Sequence, residues 1–147
     1  VNVQTETEAA LFDLLAEASV IVIGNLTDVE TWCAVLTGAA AAGIYAAYEH
    51  GAVILAEGTG AAALGSWIMT DEGDITPGLG WLENALIFPG LTSAGQSERA
   101  RYALTAQPAA LAVGVGSDSA LALGPDGQVE TWGQQHVTIA LGSHFGM

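Results

Sequence analysis

The pattern of apolar and polar residues predicts that helices and strands alternate along the first part of the chain. Apolar residues recur at helical spacing over residues 6–18, and Thr5 followed by Glu8 has the spacing of a capping box. The run SVIVIG at 19–24 is continuously apolar and rich in β-branched residues. Such a run is typical of a strand that is covered on both faces.

The same alternation is repeated over the next forty residues. Thr27 and Glu30 again have capping-box spacing and predict a helix that ends at Gly38. A further helix is predicted over 39–51 and a buried strand over 52–57. The first of these helices is expected to turn three apolar side chains inward: Trp32, Val35 and Leu36.

The alternation of predicted helices and strands is less regular in the second half of the chain. Residues 70–80 have turn chemistry throughout, residues 85–88 predict a strand, and residues 96–107 predict a helix that Pro108 ends. The remaining apolar runs, LAVGV, SALALG, VETW and HVTIAL, are read as strands with no helix between them. A PDGQ turn separates the second from the third, and the last strands are expected to form an antiparallel hairpin.

These elements predict one domain over residues 1–147, because a chain of this length suits a single core. Its predicted architecture is a three-layer α/β sandwich with a mostly parallel sheet and a C-terminal antiparallel hairpin. The alternation begins with a helix that feeds a buried strand. N-terminal strand–helix units are therefore expected to be missing, and an exposed sheet edge would result.

Composition narrows the classes of partner. The chain is 51% hydrophobic, which argues against disorder, and it carries 16 acidic residues against two basic ones, for a formal charge of −14. Such a surface repels phosphate backbones and anionic lipid, so neither nucleic acid nor a membrane is an expected partner. The polar, acidic N-terminus does not have the pattern of a signal peptide, and a cytoplasmic location is expected.

Neither a metal nor a cofactor is expected. The single cysteine, Cys33, excludes an internal disulfide and a cysteine-based metal cluster, and its apolar helical setting predicts a buried, inert thiol. The three histidines, His50, His136 and His144, match no metal-ligand spacing. His50 has a structural explanation in the last turn of a helix, where a partly positive imidazole is favourable.

Residues 55–67, LAEGTGAAALGSW, have the strand–corner–helix shape of a nucleophile elbow. The central residue of such an elbow has positive φ, and the residues two before and two after it must be small. Gly58 at the centre satisfies this rule with Ala56 and Gly60 as flanks, whereas Thr59 at the centre would place the bulky Glu57 at a flank. The predicted nucleophile position is thus occupied by a glycine.

Five segments have the order and spacing of one family's motifs. A helix, strand and glycine-rich loop correspond to ALFDLLAEASVIVIGNLTD, and a stretch ending in G-T-S-A-G-A corresponds to AYEHGAVILAEGTGAAALG. P-G-L-G-L-L corresponds to TPGLGWL, R-x-R to SERARYAL, and G-I-D-E-x-T-A-L with its closing hairpin to AVGVGSDSALAL and GQVETWGQQHVTIA. Over nearly its whole length the chain resembles the cyanophycinase-like and aspartyl-dipeptidase-like serine peptidases, which have the class I glutamine amidotransferase-like fold.

The departures from this family occur at the positions of its functional residues. At each of these positions the chain lacks the family's residue. The family's nucleophilic serine corresponds to Gly58, the polar amide of its glycine-rich loop to Leu26, its histidine to Gly95 (or Gly90 with a later gap), and its acidic pair to Gly116 and Ser117. The resemblance therefore implies a family member without the catalytic triad.

Other residues offer partial alternatives. Ser66 and Ser93 lie at no predicted strained turn, so surface or capping roles are the simpler interpretation. Arg99 and Arg101 lie two residues apart on one helix, and at most one of them could anchor a ligand carboxylate rather than form an ion pair. The spacing of GTGAAALG also departs from both the P-loop and the dinucleotide-binding motifs, so nucleotide binding is a weak third choice.

Two functional hypotheses follow. The first is a non-catalytic relative of these peptidases with a binding or assembly role, for which a small peptide-like or carboxylate ligand would contact the corner residues Glu57, Gly58, Thr59 and Gly60. The second is an active hydrolase that uses Thr59, or a water molecule positioned by Glu57. The uncovered sheet also predicts a homodimer, with contacts at uncharged residues: Trp32, Ile44 and Tyr48.

Overall fold

Two compact units, residues 1–60 and 61–147, make up the chain. The structure is a computed structural model that describes residues 6–91, 94–134 and 136–147, without the side chains of residues 94–97. The first unit contains α1 (Glu8–Ala16), β1 (Val20–Ile23), α2 (Val29–Val35), α3 (Gly38–Glu49), β2 (Val53–Ala56) and the beginning of α4 (Thr59–Ala63). Each of the predicted helices and strands of this region is present.

The core of the first unit lies between its helices and one face of a two-stranded sheet. β1 and β2 pair in parallel, from Val20 opposite Val53 to Ile23 opposite Ala56. α1 and α3 approach so closely that a Cβ on Gly43 would lie 2.9 Å from the Leu15 Cβ. The buried apolar side chains of this unit are Leu11, Ile21, Ile23, Val29, Leu36, Ala40, Ile44 and Ala47.

The prediction that strand 19–24 is covered on both faces is wrong for the described chain. Residues along β1 alternate between exposed and buried: Ile21 and Ile23 point into the core, while Val20 and Val22 are 59% and 61% exposed. The period-2 alternation of side chains along a strand separates the two faces, and only one of them is packed here.

Two predicted helix starts are shifted by local hydrogen bonding. α1 is capped by Thr7, whose Oγ1 accepts a hydrogen bond from the Ala10 N–H at 3.3 Å, whereas Thr5 lies outside the described residues. α2 is capped by Asp28 rather than Thr27, because its Oδ1 accepts from both the backbone N–H and the hydroxyl of Thr31, at 2.8 and 2.7 Å. These hydrogen bonds hold the pKa of Asp28 below its usual value.

The second unit contains the remaining elements: β3 (Trp67–Met69), β4 (Ile75–Pro77), β5 (Ala85–Pro89), α5 (Ala94–Ala106), β6 (Leu111–Val115), β7 (Ser119–Leu123), β8 (Val129–Gly133) and β9 (Val137–Leu141). β5 pairs in parallel with β6, and β6 pairs antiparallel with β9. β7 and β8 form the predicted hairpin around the PDGQ turn. Leu86, Ala103 and Ala110 form a buried cluster with Trp67, Met69, Ile75, Phe88 and Leu104 packed against it.

One segment predicted as turn is partly strand. Within 70–80, residues 75–77 form β4, which pairs antiparallel with β3. The intervening turn is closed by the Thr70 N–H, which donates to the Asp74 carbonyl at 2.9 Å, and Ile75 packs on the buried cluster. Tertiary packing thus extends strand structure into a segment whose composition favours turns.

The α/β class is confirmed: helices and strands are mixed in both units. Among the strand pairings of the described residues, two are parallel and three are antiparallel. Across that same part of the chain, no single helix is long and apolar enough to cross a membrane, although α2 and α3 would satisfy length and composition together as a pair bent by 89°.

Candidate functional site

The candidate corner lies where two loops meet beside the β1–β2 sheet. Because β1 and β2 are parallel, their carboxyl ends lie at the same edge, and the loops that follow them are neighbours. The Glu57 N–H donates to the Ile23 carbonyl at 3.0 Å and so continues the pairing to the last residue before the turn. Loop 24–28 and the 57–60 turn form this corner.

Gly58 turns the chain with φ of 53°, as predicted. This is the left-handed region, which glycine adopts without the steric cost that a Cβ imposes. The Gly60 N–H donates to the Glu57 carbonyl at 3.0 Å and closes the turn into α4. The backbone therefore has the sharp strand-to-helix turn that an elbow requires.

Gly60 is small for a packing reason. It is buried, and a Cβ at this position would lie 2.5 Å from the Ile23 carbonyl oxygen and 2.7 Å from that of Gly24. Both atoms belong to the backbone and cannot rotate away. The small flank predicted from the elbow rule thus lets the turn approach the end of β1.

Asn25 occupies the space beside Gly58. Its Oδ1 accepts a hydrogen bond from the Thr59 N–H at 2.9 Å, and its side-chain amide fills the position where a Cβ on residue 58 would lie. A side chain at residue 58 would therefore collide with the amide that holds the two loops together. Asn25 closes the nucleophile position of the elbow.

The hydroxyl of Thr59 is also engaged. Its Oγ1 accepts from the Leu26 N–H at 2.7 Å and lies 3.4 Å from the Leu26 carbonyl, to which it donates. Both hydrogen-bonding directions of the hydroxyl are thus used by the backbone of the neighbouring loop. Trp32 also contacts this loop, since its Nε1–H donates to the Gly24 carbonyl at 2.9 Å.

These contacts determine what the corner can do chemically. In an active elbow the N–H of the residue after the nucleophile is one donor of the oxyanion hole. That donor is the Thr59 N–H here, and Asn25 already occupies it. Glu57 is exposed and its carboxylate lies near Gly24, so it is the chemically available group of the four corner residues.

The other positions at which the family has catalytic residues lie in the second unit. Gly95 is in α5, and Gly90 has φ of 71° in the loop after β5. The Gly116 N–H donates to the His136 carbonyl at 2.7 Å, and the Ser117 carbonyl lies 3.4 Å from the Ser119 hydroxyl, which donates to it. Gly116 and Ser117 thus take part in the backbone arrangement before β7.

The alternative nucleophiles and bases have structural roles where the structure describes them. Ser66 Oγ donates to the Leu82 carbonyl and accepts from the Asn84 N–H, both at 2.9 Å, while Ser93 lies outside the described residues. His50 follows α3, at the end of β2 opposite the corner. Among the described residues, no three His, Cys, Asp or Glu side chains form a group that could hold a metal ion.

The two arginines do not share a site. Arg99 Nε donates to the Met69 sulfur at 3.3 Å, and Arg101 is exposed. Arg99 borders an open cavity of about 430 Å³ that is lined by Met69, Asp71, Glu72, Gly73, Glu98, Arg99 and Tyr102. The three carboxylates around the single guanidinium do not favour an anionic ligand there.

Cys33 is half-buried in α2. Burial, and secondarily the charge of Glu30, raise the pKa of its thiol above the usual value. The prediction of a buried thiol is therefore only partly correct, and the raised pKa leaves less thiolate at neutral pH.

Sequence reasoning missed Asn25. The polar amide of the family's loop corresponds to Leu26 and is absent there, but the structure places the amide of the preceding residue, Asn25, against the elbow. The local signal was present as a glycine followed by an asparagine directly after a strand. Its partner is 34 residues away along the chain, so no local pattern identifies the contact.

Comparison with known proteins supports the fold. No protein-family model matches the sequence, and no curated protein matches it. The crystal structure of a peptidase from an acI-B1 actinobacterium is similar, with a TM-score of 0.66 and 18% sequence identity over 90% of this chain. This chain spans 54% of the length of that peptidase. The chain therefore shares the fold of this peptidase. At 18% identity, the similarity shows the fold alone.

Proposed function

We propose that this chain is a non-catalytic relative of the cyanophycinase-like serine peptidases, in which the nucleophile elbow is retained as a structural corner and the role is binding or assembly. The observation that carries this proposal is the 2.9 Å hydrogen bond from the Thr59 N–H to Asn25 Oδ1. This bond engages the N–H that would be an oxyanion donor, and the Asn25 amide fills the space in which a nucleophile would stand.

Three further features support the proposal. Gly58 has no side chain to act as a nucleophile. The Thr59 hydroxyl is held by the Leu26 backbone rather than by a base. The nearest residue of the first unit that could act as an imidazole base, His50, lies at the opposite end of β2.

A fluorophosphonate probe tests the absence of hydrolase chemistry. The native protein is expected to remain unlabelled under conditions that label an active serine peptidase to completion, with intact mass and peptide mapping as the readout. Stoichiometric labelling at Thr59 would contradict the proposal and support the active-hydrolase alternative. Thr59→Val would then abolish the labelling.

Gly58→Ser provides a matched control that restores a hydroxyl to the nucleophile position. We expect this variant to remain unlabelled, because the only histidine of the first unit, His50, lies at the opposite end of β2 and cannot act as a base for the new hydroxyl. Labelling of Gly58→Ser but not of the native protein would mean that the corner is still competent and lacks only its nucleophile. That result would contradict the proposal that the corner has only a structural role.

A further inference from the structure

The turn between β7 and β8 contains a chemically reactive pair of residues, Asp126 and Gly127. Of all the Asp and Asn residues in the sequence, Asp126 alone is followed by glycine. A five-membered ring forms when a backbone nitrogen attacks the side-chain carboxyl carbon of the aspartate that precedes it. Glycine has no side chain to hinder that approach, so this pair is the most reactive of its kind in the chain.

The fold leaves the pair free to react. Both residues are exposed, and the Asp126 carboxylate makes no hydrogen bond or ion pair with the residues that the structure describes. The turn is closed by the Gly127 N–H, which donates to the Gly124 carbonyl at 3.2 Å, the long end of the usual range. The attacking nitrogen is therefore only weakly held, and the carboxyl group can rotate towards it.

Other aspartates of the chain are more restrained. Asp28 Oδ1 accepts hydrogen bonds from both the backbone N–H and the hydroxyl of Thr31, at 2.8 and 2.7 Å. Asp118 is the nearest rival, because it is exposed and is followed by the small Ser119. Its carbonyl accepts from the Gln134 N–H at 2.9 Å, and its successor carries a side chain. Asp126 is therefore the aspartate at which ring closure is least opposed.

We propose that the bond between Asp126 and Gly127 isomerises spontaneously to an isoaspartyl linkage, which loosens the β7–β8 hairpin. The Gly127 nitrogen bonds to Cγ of Asp126, and its proton leaves with the carboxyl hydroxyl as one water molecule. Water then adds to the main-chain carbonyl of the resulting succinimide and breaks the original bond to the Gly127 nitrogen. Gly127 remains attached through Cγ, the net mass is unchanged, and no reactant other than water takes part.

The linkage matters to the hairpin because it adds one carbon atom to the main chain inside the turn. The register of a hairpin is fixed by the type and length of its turn. Here the pairing begins with Leu123 opposite Val129, and the Gly124 N–H donates to the Gln128 carbonyl at 2.8 Å. All five residues of β8 are exposed, so this strand depends on its pairing with β7 rather than on burial. A longer turn cannot keep both closing hydrogen bonds, and the end of the pairing is lost.

Prolonged incubation of the native protein at neutral pH, below its unfolding temperature, tests the proposal. Isoaspartate is quantified by methyl transfer with a protein isoaspartyl methyltransferase and is located by peptide mapping with mass spectrometry. We expect it to accumulate at residue 126, with an intermediate that is lighter by one water molecule. Amide hydrogen exchange in β8 is expected to be faster in the aged protein than in the fresh protein.

Asp126→Glu keeps the charge but requires a six-membered ring, so the isoaspartate signal is expected to fall to background. The matched control is Asp118→Glu, which makes the same change at the nearest rival and is expected to age like the native protein. Absence of isoaspartate from the aged native protein, its persistence in Asp126→Glu or its loss in Asp118→Glu would overturn the assignment. Unchanged exchange in β8 of the modified protein would overturn the effect on the hairpin. None of these outcomes depends on the corner at residues 57–60, so the test is separate from that of the proposed function.

Discussion

Replacement of Gly58 by serine tests the corner most directly, because two separate costs can be read from the structure. The first is conformational: φ of 53° is strained for any residue with a Cβ and costs about 1 kcal/mol. The second is steric: the new Cβ displaces the Asn25 amide and breaks its hydrogen bond to the Thr59 N–H. A hydrogen bond of this kind contributes about 1 kcal/mol.

Gly58→Ser is therefore expected to lower the free energy of unfolding by about 2 kcal/mol. Asn25→Ala alone is expected to cost about 1 kcal/mol, for the lost hydrogen bond. In the double variant the steric conflict is absent, so serine at residue 58 should cost only its conformational strain. The double variant should then be more stable than additivity predicts, by about 1 kcal/mol.

Urea unfolding of the native protein and the three variants, followed by fluorescence and circular dichroism, completes the double-mutant cycle. Coincidence of the two probes would show whether the two units unfold together, which the comparison requires. Gly58→Ala serves as the control for the Cβ without the hydroxyl. A neutral Gly58→Ser, or a cycle with no coupling energy, would show that Asn25 does not occupy the nucleophile position.

Three further predictions follow from the site and its surroundings. Because burial, and secondarily the charge of Glu30, raise the pKa of the Cys33 thiol, a thiol reagent should react more slowly with the folded protein than with the chain unfolded in urea. Glu30→Gln should accelerate the reaction of the folded protein. Equal rates for the folded and unfolded chain would contradict the raised pKa. The Thr31 side-chain and backbone hydrogen bonds lower the pKa of Asp28, so the stabilising contribution of its carboxylate is fully present above the ordinary pKa of 3.8 and is lost as pH falls through the folded pKa. Urea unfolding across the acid range should therefore show a weaker pH dependence for Asp28→Asn than for the native protein. An identical dependence would refute the assignment. Ser66→Ala removes both hydrogen bonds of the Ser66 hydroxyl and should lower the unfolding free energy by about 2 kcal/mol, and an unchanged value would exclude this bridge from the native state.

The strands could be predicted where apolar runs are continuous and end at glycine or polar residues. β1, β2 and β5 each lie within one residue of their predicted bounds for this reason. β4 could not be predicted in the same way, because its three residues end in Pro77 and lie between Asp74 and Gly78. Its strand structure depends on pairing with β3 and on the packing of Ile75, which are both tertiary contacts.

The backbone of the candidate site was more predictable than its chemistry. A sharp turn requires small residues at positions 56 and 60, the sequence has them, and Gly58 has the positive φ that was predicted. The occupant of that turn depends on a loop from another strand. Whether residue 25 or residue 26 faces the elbow is decided by the geometry of the β1 end, which a linear pattern does not contain.

The exposed face of the β1–β2 sheet shows where the sequence pattern and the structure disagree. A continuous apolar run such as SVIVIG is typical of a strand that is covered on both faces, because exposed valines contribute nothing to a core. In the described chain one face is packed by helices and the other leaves Val20, Val22, Val53 and Leu55 more than half exposed. The pattern of the strand is therefore satisfied only when something covers that face.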